Sequence, residues 1–259
     1  MPYANNQGVR IHYEVEVNGP PLVLLHGLGQ TLEAWLEYGY VEALKDKYQL
    51  ILIDVRGHGD SDKPHNPEAY ELKLLVKDVV AVLDDLKVHK SHFLGYSMGG
   101  WIGFGIAKHA PKRFYSLMLG GAHPYKPNAA EQANIDSGIQ IWKKGKKALI
   151  AEAEKQLGSK MTPGLRARLM ASDPEAIVAL MSSQDFTRSL EDVLPTIRIP
   201  CLVYAGETDL SYSGAKECVK NMRNATFVSL PSLDHGEAIY QSNVVLPYIT
   251  KFLAKTSQT

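Results

Sequence analysis

The sequence predicts an α/β protein: a mostly parallel central sheet of about eight strands, helices on both faces, and an all-helical cap inserted between two strands. Three observations carry this expectation. Short apolar runs alternate with helix-patterned segments along most of the 259 residues, as in a parallel sheet covered on both sides. Several of those runs are continuously apolar, as in strands buried on both faces. The alternation stops between about Pro124 and Leu194, where every piece reads as helix.

Each element has its own reason. Val9 to Val17 alternates apolar and polar residues and reads as a strand on an exposed edge. Asn18-Gly19-Pro20-Pro21 is a turn, and Leu22-Val23-Leu24-Leu25 a buried strand. A helix is expected around Leu32 to Lys45, then a second buried strand, Leu50 to Ile53. From Pro67 to Leu86, apolar residues recur at spacings of three and four (Leu72, Leu75, Val76, Val79, Leu83), which marks an amphipathic helix. His92-Phe93-Leu94 ends a strand, and Met98 to His109 is a helix closed by Ala110-Pro111. Further strands are Ser116 to Leu119, Cys201 to Tyr204 and Ala225 to Leu230, with a last helix near Asn243 to Lys255. The interruption holds helical pieces at Ala130–Trp142, Lys146–Leu157, Gly164–Met170 and Pro174–Met181, punctuated by Gly145, Gly158 and Pro163. Residues 1–123 and 195–259 are therefore read as the core and 124–194 as the cap. The cap would lie over the carboxyl ends of the strands, where open α/β sheets bind ligands.

Composition narrows the partners. The chain is 45% hydrophobic and 22% charged, with Lys+Arg and Asp+Glu both 28. No long block of one sign appears, which argues against nucleic acid or an anionic membrane as the main partner. The densest charge run, Lys143-Lys144-Gly145-Lys146-Lys147, reads as a solvated turn between helices. Met1-Pro2-Tyr3-Ala4-Asn5 has neither the basic nor the apolar region of a signal peptide, and no apolar run approaches bilayer length. The two cysteines, Cys201 and Cys218, read as buried free thiols in a reducing cytoplasm. No paired cysteine set or H-E-x-x-H stretch suggests a metal, and no cofactor is implied. His89 and His92 straddle a loop-to-strand junction and make a poor metal pair.

Gly95-Tyr96-Ser97-Met98-Gly99 carries the chemistry. It fits G-x-S-x-G between a strand and a helix, which pushes the serine into a strained turn with its hydroxyl exposed. The flanking glycines let strand and helix approach without a Cβ clash. A serine hydroxyl is a poor nucleophile and needs an adjacent base. His235 follows the last strand in Leu233-Asp234-His235-Gly236. Asp209 follows the preceding strand in Gly206-Glu207-Thr208-Asp209, where a carboxylate would hold the imidazole in the correct tautomer. The order Ser97, Asp209, His235 is that of a nucleophile elbow. Glu207 and Asp234 compete for the acid's place, and His58 reads as a loop residue rather than the base. An oxyanion needs two donors. One would be the amide of Met98, the other that of Leu28 in His26-Gly27-Leu28-Gly29. His123, before the cap, and Trp142, within it, either face the substrate or pack.

These motifs, with Asp54-Val55-Arg56-Gly57-His58-Gly59-Asp60-Ser61 and Gly100, resemble the α/β-hydrolase superfamily, in its branch of small capped serine esterases, lactonases, enol-lactonases and carbon–carbon bond hydrolases. The resemblance covers nearly all of the chain except the cap. It implies a triad of Ser97, Asp209 and His235, with Leu28 and Met98 at the oxyanion and residues 54–61 as a structural loop. Ser97 argues against the dehalogenases and epoxide hydrolases of the superfamily, which use an aspartate nucleophile. One departure is that no proline follows Asp209. The expected activity is cleavage of a carboxylic ester or lactone, with carbon–carbon cleavage or enol-lactone hydrolysis as the alternative on the same triad. A degenerate triad would have favoured a different class, a ligand receptor signalling through cap closure. The expected partner is a small molecule, and the oligomeric state is open.

Overall fold

Eight strands form one sheet in the order β1-β2-β4-β3-β5-β6-β7-β8. They are β1 (Tyr3–Asn6), β2 (Val9–Glu16), β3 (Pro21–Leu25), β4 (Gln49–Ile53), β5 (Ser91–Tyr96), β6 (Phe114–Gly120), β7 (Cys201–Gly206) and β8 (Ala225–Leu230). The computed structural model describes residues 2–16, 19–157, 160–161 and 163–256. Met1, Val17, Asn18 and Gly158, which entered the readings above, lie outside them. β1 and β2 pair antiparallel, as do β2 and β4. From β4 through β3, β5, β6 and β7 to β8 every pairing is parallel.

The continuous apolar runs are explained by two cores, one on each face. Val23 and Leu25 of β3 point into one, with Ile51, Ile53, Phe93, Leu117 and Leu119. The helices α3 (Leu72–Asp85) and α4 (Met98–His109) cover that face, joined by α9 (Tyr212–Cys218). Leu22 and Leu24 point into the other, with Leu50, Leu52, Leu94 and Met118. There the cover comes from α1 (Glu33–Glu37), α2 (Tyr40–Leu44), α10 (Glu237–Tyr240) and α11 (Ser242–Thr256). Side chains alternate between faces with period two, so a strand buried on both sides reads as a nearly continuous apolar run.

Among the described residues four α-helices lie between β6 and β7: α5 (Ala129–Lys143), α6 (Lys146–Leu157), α7 (Pro163–Ala171) and α8 (Pro174–Met181). Asn128 caps α5 in a reciprocal box with Glu131, and Asp173 caps α8. The lysine run is the turn at Lys144-Gly145 between α5 and α6. Cys201 and Cys218 are buried free thiols. Among the described residues no helix is long and apolar enough to cross a membrane.

Three readings need correction. The strand from Val9 is not an edge, because β1 pairs along its outer side. β1 went unseen because one of its two buried positions is Asn6, whose amide donates to the buried carboxylate of Asp78 at 2.6 Å. Arg56 grips the same carboxylate with two hydrogen bonds, of 2.6 and 2.9 Å. The helix expected from Leu32 to Lys45 is broken into α1 and α2 at Gly39, whose φ of 80° a residue with a Cβ rarely adopts. The helix from Pro67 begins as a 3₁₀ turn, Pro67–Tyr70, before α3 proper.

Candidate active site

Ser97 sits between β5 and α4 with φ 55° and ψ −116°. This is a strained conformation for a residue bearing a Cβ. The close approach that creates it depends on glycine. A Cβ on Gly95 would lie 2.3 Å from the Gly99 carbonyl oxygen, and one on Gly99 would lie 2.1 Å from the Leu25 carbonyl oxygen. The strained corner is held by the Ser97 amide donating to Gly120 at 2.8 Å and the Trp101 amide donating to Ser97 at 2.9 Å.

Ser97, His235 and Asp209 come together at the carboxyl ends of β5, β8 and β7. The Ser97 hydroxyl donates to His235 Nε2 at 2.9 Å. His235 Nδ1 donates to Asp209 Oδ2 at 2.7 Å. The Asp209 side chain is 3% exposed, and the His235 side chain 47%. Burial pushes the Asp209 carboxyl upward. The hydrogen bond and charge of His235, with the bond from the Ser211 amide, outweigh it and hold the group below its ordinary value. The loop carrying His235 is anchored where the Tyr96 hydroxyl donates to the His235 carbonyl at 2.6 Å. It also packs against Gly206, where a Cβ would lie 2.2 Å from the Leu233 carbonyl oxygen.

The competing acids are otherwise engaged. Glu207 accepts from the Ser229 hydroxyl at 2.8 Å, and Asp234 accepts from the Glu237 amide at 2.7 Å, at the start of α10. Among the described residues neither is hydrogen-bonded to His235.

Leu28 and Met98 both line the cavity above Ser97. Among the described residues no hydrogen bond engages either amide. The loop presenting Leu28 is held from behind by two histidines. Gly29 donates its amide to His58 Nε2 at 3.0 Å, and Val55 donates to His26 Nε2 at 3.1 Å. Each acceptor nitrogen must be unprotonated, so Nδ1 carries the proton, donated to Gly27 O by His26 and to Arg56 O by His58. Burial, reinforced by His26, pushes His58 down to about 3. Burial also lowers His26. Residues 54–61 thus buttress the site. Asp54 accepts from the Leu32 and Asp60 amides and pairs with His12.

The cavity holds about 620 Å³ and is lined by strand-end loops on one side and by the helical segment on the other. Trp142 lines it, and its indole lies against Gly29, where a Cβ would be 3.2 Å from Cζ2. His123 lines it too, but both its ring nitrogens are used: Nε2 donates to Glu131 at 2.6 Å and Nδ1 accepts from the Tyr125 amide at 3.2 Å. The sequence did not single out Trp101, Tyr125, Phe186 or Arg188, which also line the wall. For Trp101 a signal existed, since it stands one helical turn beyond Ser97. The others come from loops and helices whose folding over the site leaves no local pattern.

A strained serine at a strand–helix corner, under a histidine and a buried carboxylate from later strand ends, defines a class of protein as much as a fold. The α/β-hydrolase fold family model matches residues 20–147. An α/β-hydrolase superfamily protein of Bacillus subtilis is 27% identical over 251 residues, covering 91% of this chain and 92% of its own length. A 3-oxoadipate enol-lactonase of Acinetobacter baylyi is 36% identical over 115 residues, which is 44% of this chain and 42% of that one. An enol-lactonase structure from Burkholderia xenovorans superposes with a TM-score of 0.83 at 25% identity, covering 98% of this chain and all of that one (100%). The chain has the α/β-hydrolase fold.

Proposed function

We propose that the protein is a serine hydrolase that cleaves carboxylic esters or lactones through an acyl-enzyme. The observation that carries this reading is the unbroken hydrogen-bonded line from Ser97 through His235 to Asp209 at the floor of the 620 Å³ cavity. In the first half-reaction Ser97 Oγ forms a bond to the acyl carbon and passes its proton to His235 Nε2. The carbonyl oxygen takes up the displaced electron pair and is met by the amides of Leu28 and Met98. Asp209 stabilises the imidazolium and keeps its ring oriented. The tetrahedral adduct collapses as His235 returns the proton to the leaving oxygen. In the second half-reaction water gives its proton to His235, attacks the acyl carbon, and frees Ser97 and the acid.

Support for the lactone side of this reading comes from the lactonase names among the relatives. The segment 124–194 acts in this reading as a cap, setting which acyl group enters. The test is a panel of p-nitrophenyl esters, lactones and enol-lactones assayed with the wild type and Ser97→Ala. Turnover of one class that disappears in the variant supports the proposal. Turnover at the wild-type rate in the variant, or none of any substrate by a folded wild type, refutes it.

A further inference from the structure

Ser97 and His235 leave the sheet from strands that are not neighbours. Ser97 follows β5 and His235 follows β8, with β6 and β7 between them. At about 4.8 Å from strand to strand, roughly 14 Å separates the two strand ends. The His235 ring is oriented by its bonds to Asp209 and Ser97, but its side chain is half-exposed and packing holds it little. Its main chain has a single hold. Among the described residues the Tyr96 hydroxyl is the one hydrogen-bond partner of the His235 backbone, donating to the carbonyl at 2.6 Å.

Tyr96 is the residue before Ser97, so it is fixed to the elbow. Its ring lies in the core on the face away from α4, tilted against Tyr204 of β7 at 6.1 Å and against the His235 ring at 5.3 Å. Gly121, just after β6 with φ 57°, leaves room for this reach: a Cβ there would lie 2.8 Å from Tyr96 Cζ, 2.9 Å from its hydroxyl and 3.1 Å from His235 Cε1. Burial, reinforced by the Asp209 charge, holds the phenol well above its ordinary value, so the hydroxyl stays protonated and donates.

From this arrangement we infer that Tyr96 is a positioning residue for the general base: its hydroxyl ties the loop of His235 to the nucleophile elbow and keeps Nε2 aligned with Ser97 through both proton transfers. The inference rests on the hydrolase reading and assigns a further residue to that same site. Tyr96 acts through His235 and does not line the cavity, so its loss falls on kcat and leaves KM nearly unchanged. A displacement of about 1 Å between base and nucleophile can cost on the order of 100-fold in rate.

Tyr96→Phe removes the hydroxyl and keeps the ring. Tyr204→Phe is the control, the same change in the same core at a buried hydroxyl with no hydrogen-bond partner. Values of kcat and KM are measured on p-nitrophenyl acetate, with Tm to establish folding. The rate of fluorophosphonate labelling is measured for the wild type, Tyr96→Phe, His235→Ala and the double variant. Tyr96→Phe should lose at least about tenfold in kcat with KM within about threefold, and Tyr204→Phe should stay within about twofold of wild type. Tyr96→Phe should slow labelling by at least about tenfold in the wild type but by less than about twofold in His235→Ala, where the tie has no base left to place. A tyrosine with a structural role alone would slow both backgrounds alike. If Tyr96→Phe does not fold, Gly121→Ala replaces it in the same comparison, since its Cβ displaces the phenol. Wild-type kcat in the folded variant, equal losses in Tyr96→Phe and Tyr204→Phe, or equal slowing in both backgrounds overturns the inference while the hydrolase reading stands. If the folded wild type neither cleaves the ester nor takes the label, the hydrolase reading fails and this inference falls with it.

Discussion

Replacing Gly99 by alanine tests whether the strained corner at Ser97 is what makes the site. The new Cβ would stand 2.1 Å from the Leu25 carbonyl oxygen, 2.8 Å from its carbon and 2.9 Å from the His26 carbonyl oxygen. All three are backbone atoms, so no side-chain rotation relieves the clash. Ordinary contact begins near 3.4 Å, so α4 and the end of β3 must separate by more than 1 Å. Overpacking of this kind costs about 1–3 kcal/mol. In a domain of this size that is a fall of roughly 2–12 °C in Tm. The end of β3 leads into the loop carrying Leu28, and α4 begins at Met98, so the same shift moves both expected oxyanion donors relative to Ser97. A displacement of about 1 Å can cost on the order of 100-fold in rate. The assay is kcat/KM on a short p-nitrophenyl ester together with Tm. Gly164→Ala serves as the control, because among the described residues its Cβ would meet only Glu37 Oε1, at an ordinary 3.6 Å. A Gly99→Ala protein with wild-type Tm and kcat/KM within twofold would refute the argument that backbone approach sets the site.

Three further outcomes are expected. Asp209→Asn should lower kcat by about 10³-fold or more, far beyond Glu207→Gln or Asp234→Asn, since only Asp209 is hydrogen-bonded to His235; if Asp234→Asn were the most damaging, the acid would be misassigned. His26 and His58 are buried and held neutral, His58 down to about 3 against an ordinary 6.5. Their folded values lie below their unfolded ones, so their contribution is fully present above about pH 6.5 and is lost as pH falls below it, for His58 down to about pH 3, by up to about 1.4 kcal/mol per pH unit; urea midpoints that stay flat between pH 6.5 and 4.5 would contradict this. Trp142→Ala should shift the ratio of kcat/KM between bulky and short acyl esters by about tenfold, because its ring walls the cavity and rests on Gly29; equal scaling of every substrate would make it a structural residue alone.

The parallel strands and α3 were legible because their periodicity is set by burial, which a single sequence records directly. The elbow was legible because the backbone approach at Gly95 and Gly99 leaves room for no side chain. What escaped depends on long-range partners. β1 hides behind Asn6, a polar residue whose buried amide is satisfied by Asp78 and the Leu74 carbonyl from elsewhere in the chain, Asp78 being held in turn by Arg56. The break at Gly39 interrupts a stretch whose apolar spacing alone reads as one helix. His58 read as a loop residue because nothing local shows that its Nε2 meets Gly29, 29 residues away. The pairing of His123 with Glu131 was equally hidden, since it needs α5 to fold back over the end of β6. The wall of the cavity is built from segments far apart in sequence, so its charge and aromatic lining emerge only when they are assembled.

The central claim is that Ser97 is activated by His235. Labelling with a fluorophosphonate, followed by intact mass and peptide mapping, tests it most directly, because only an activated serine reacts readily. One adduct per chain is expected, on Ser97, absent in Ser97→Ala and slowed by at least about 10³-fold in His235→Ala. An adduct on another residue, no adduct on folded protein, or labelling of Ser97 that His235→Ala leaves at the wild-type rate would contradict it.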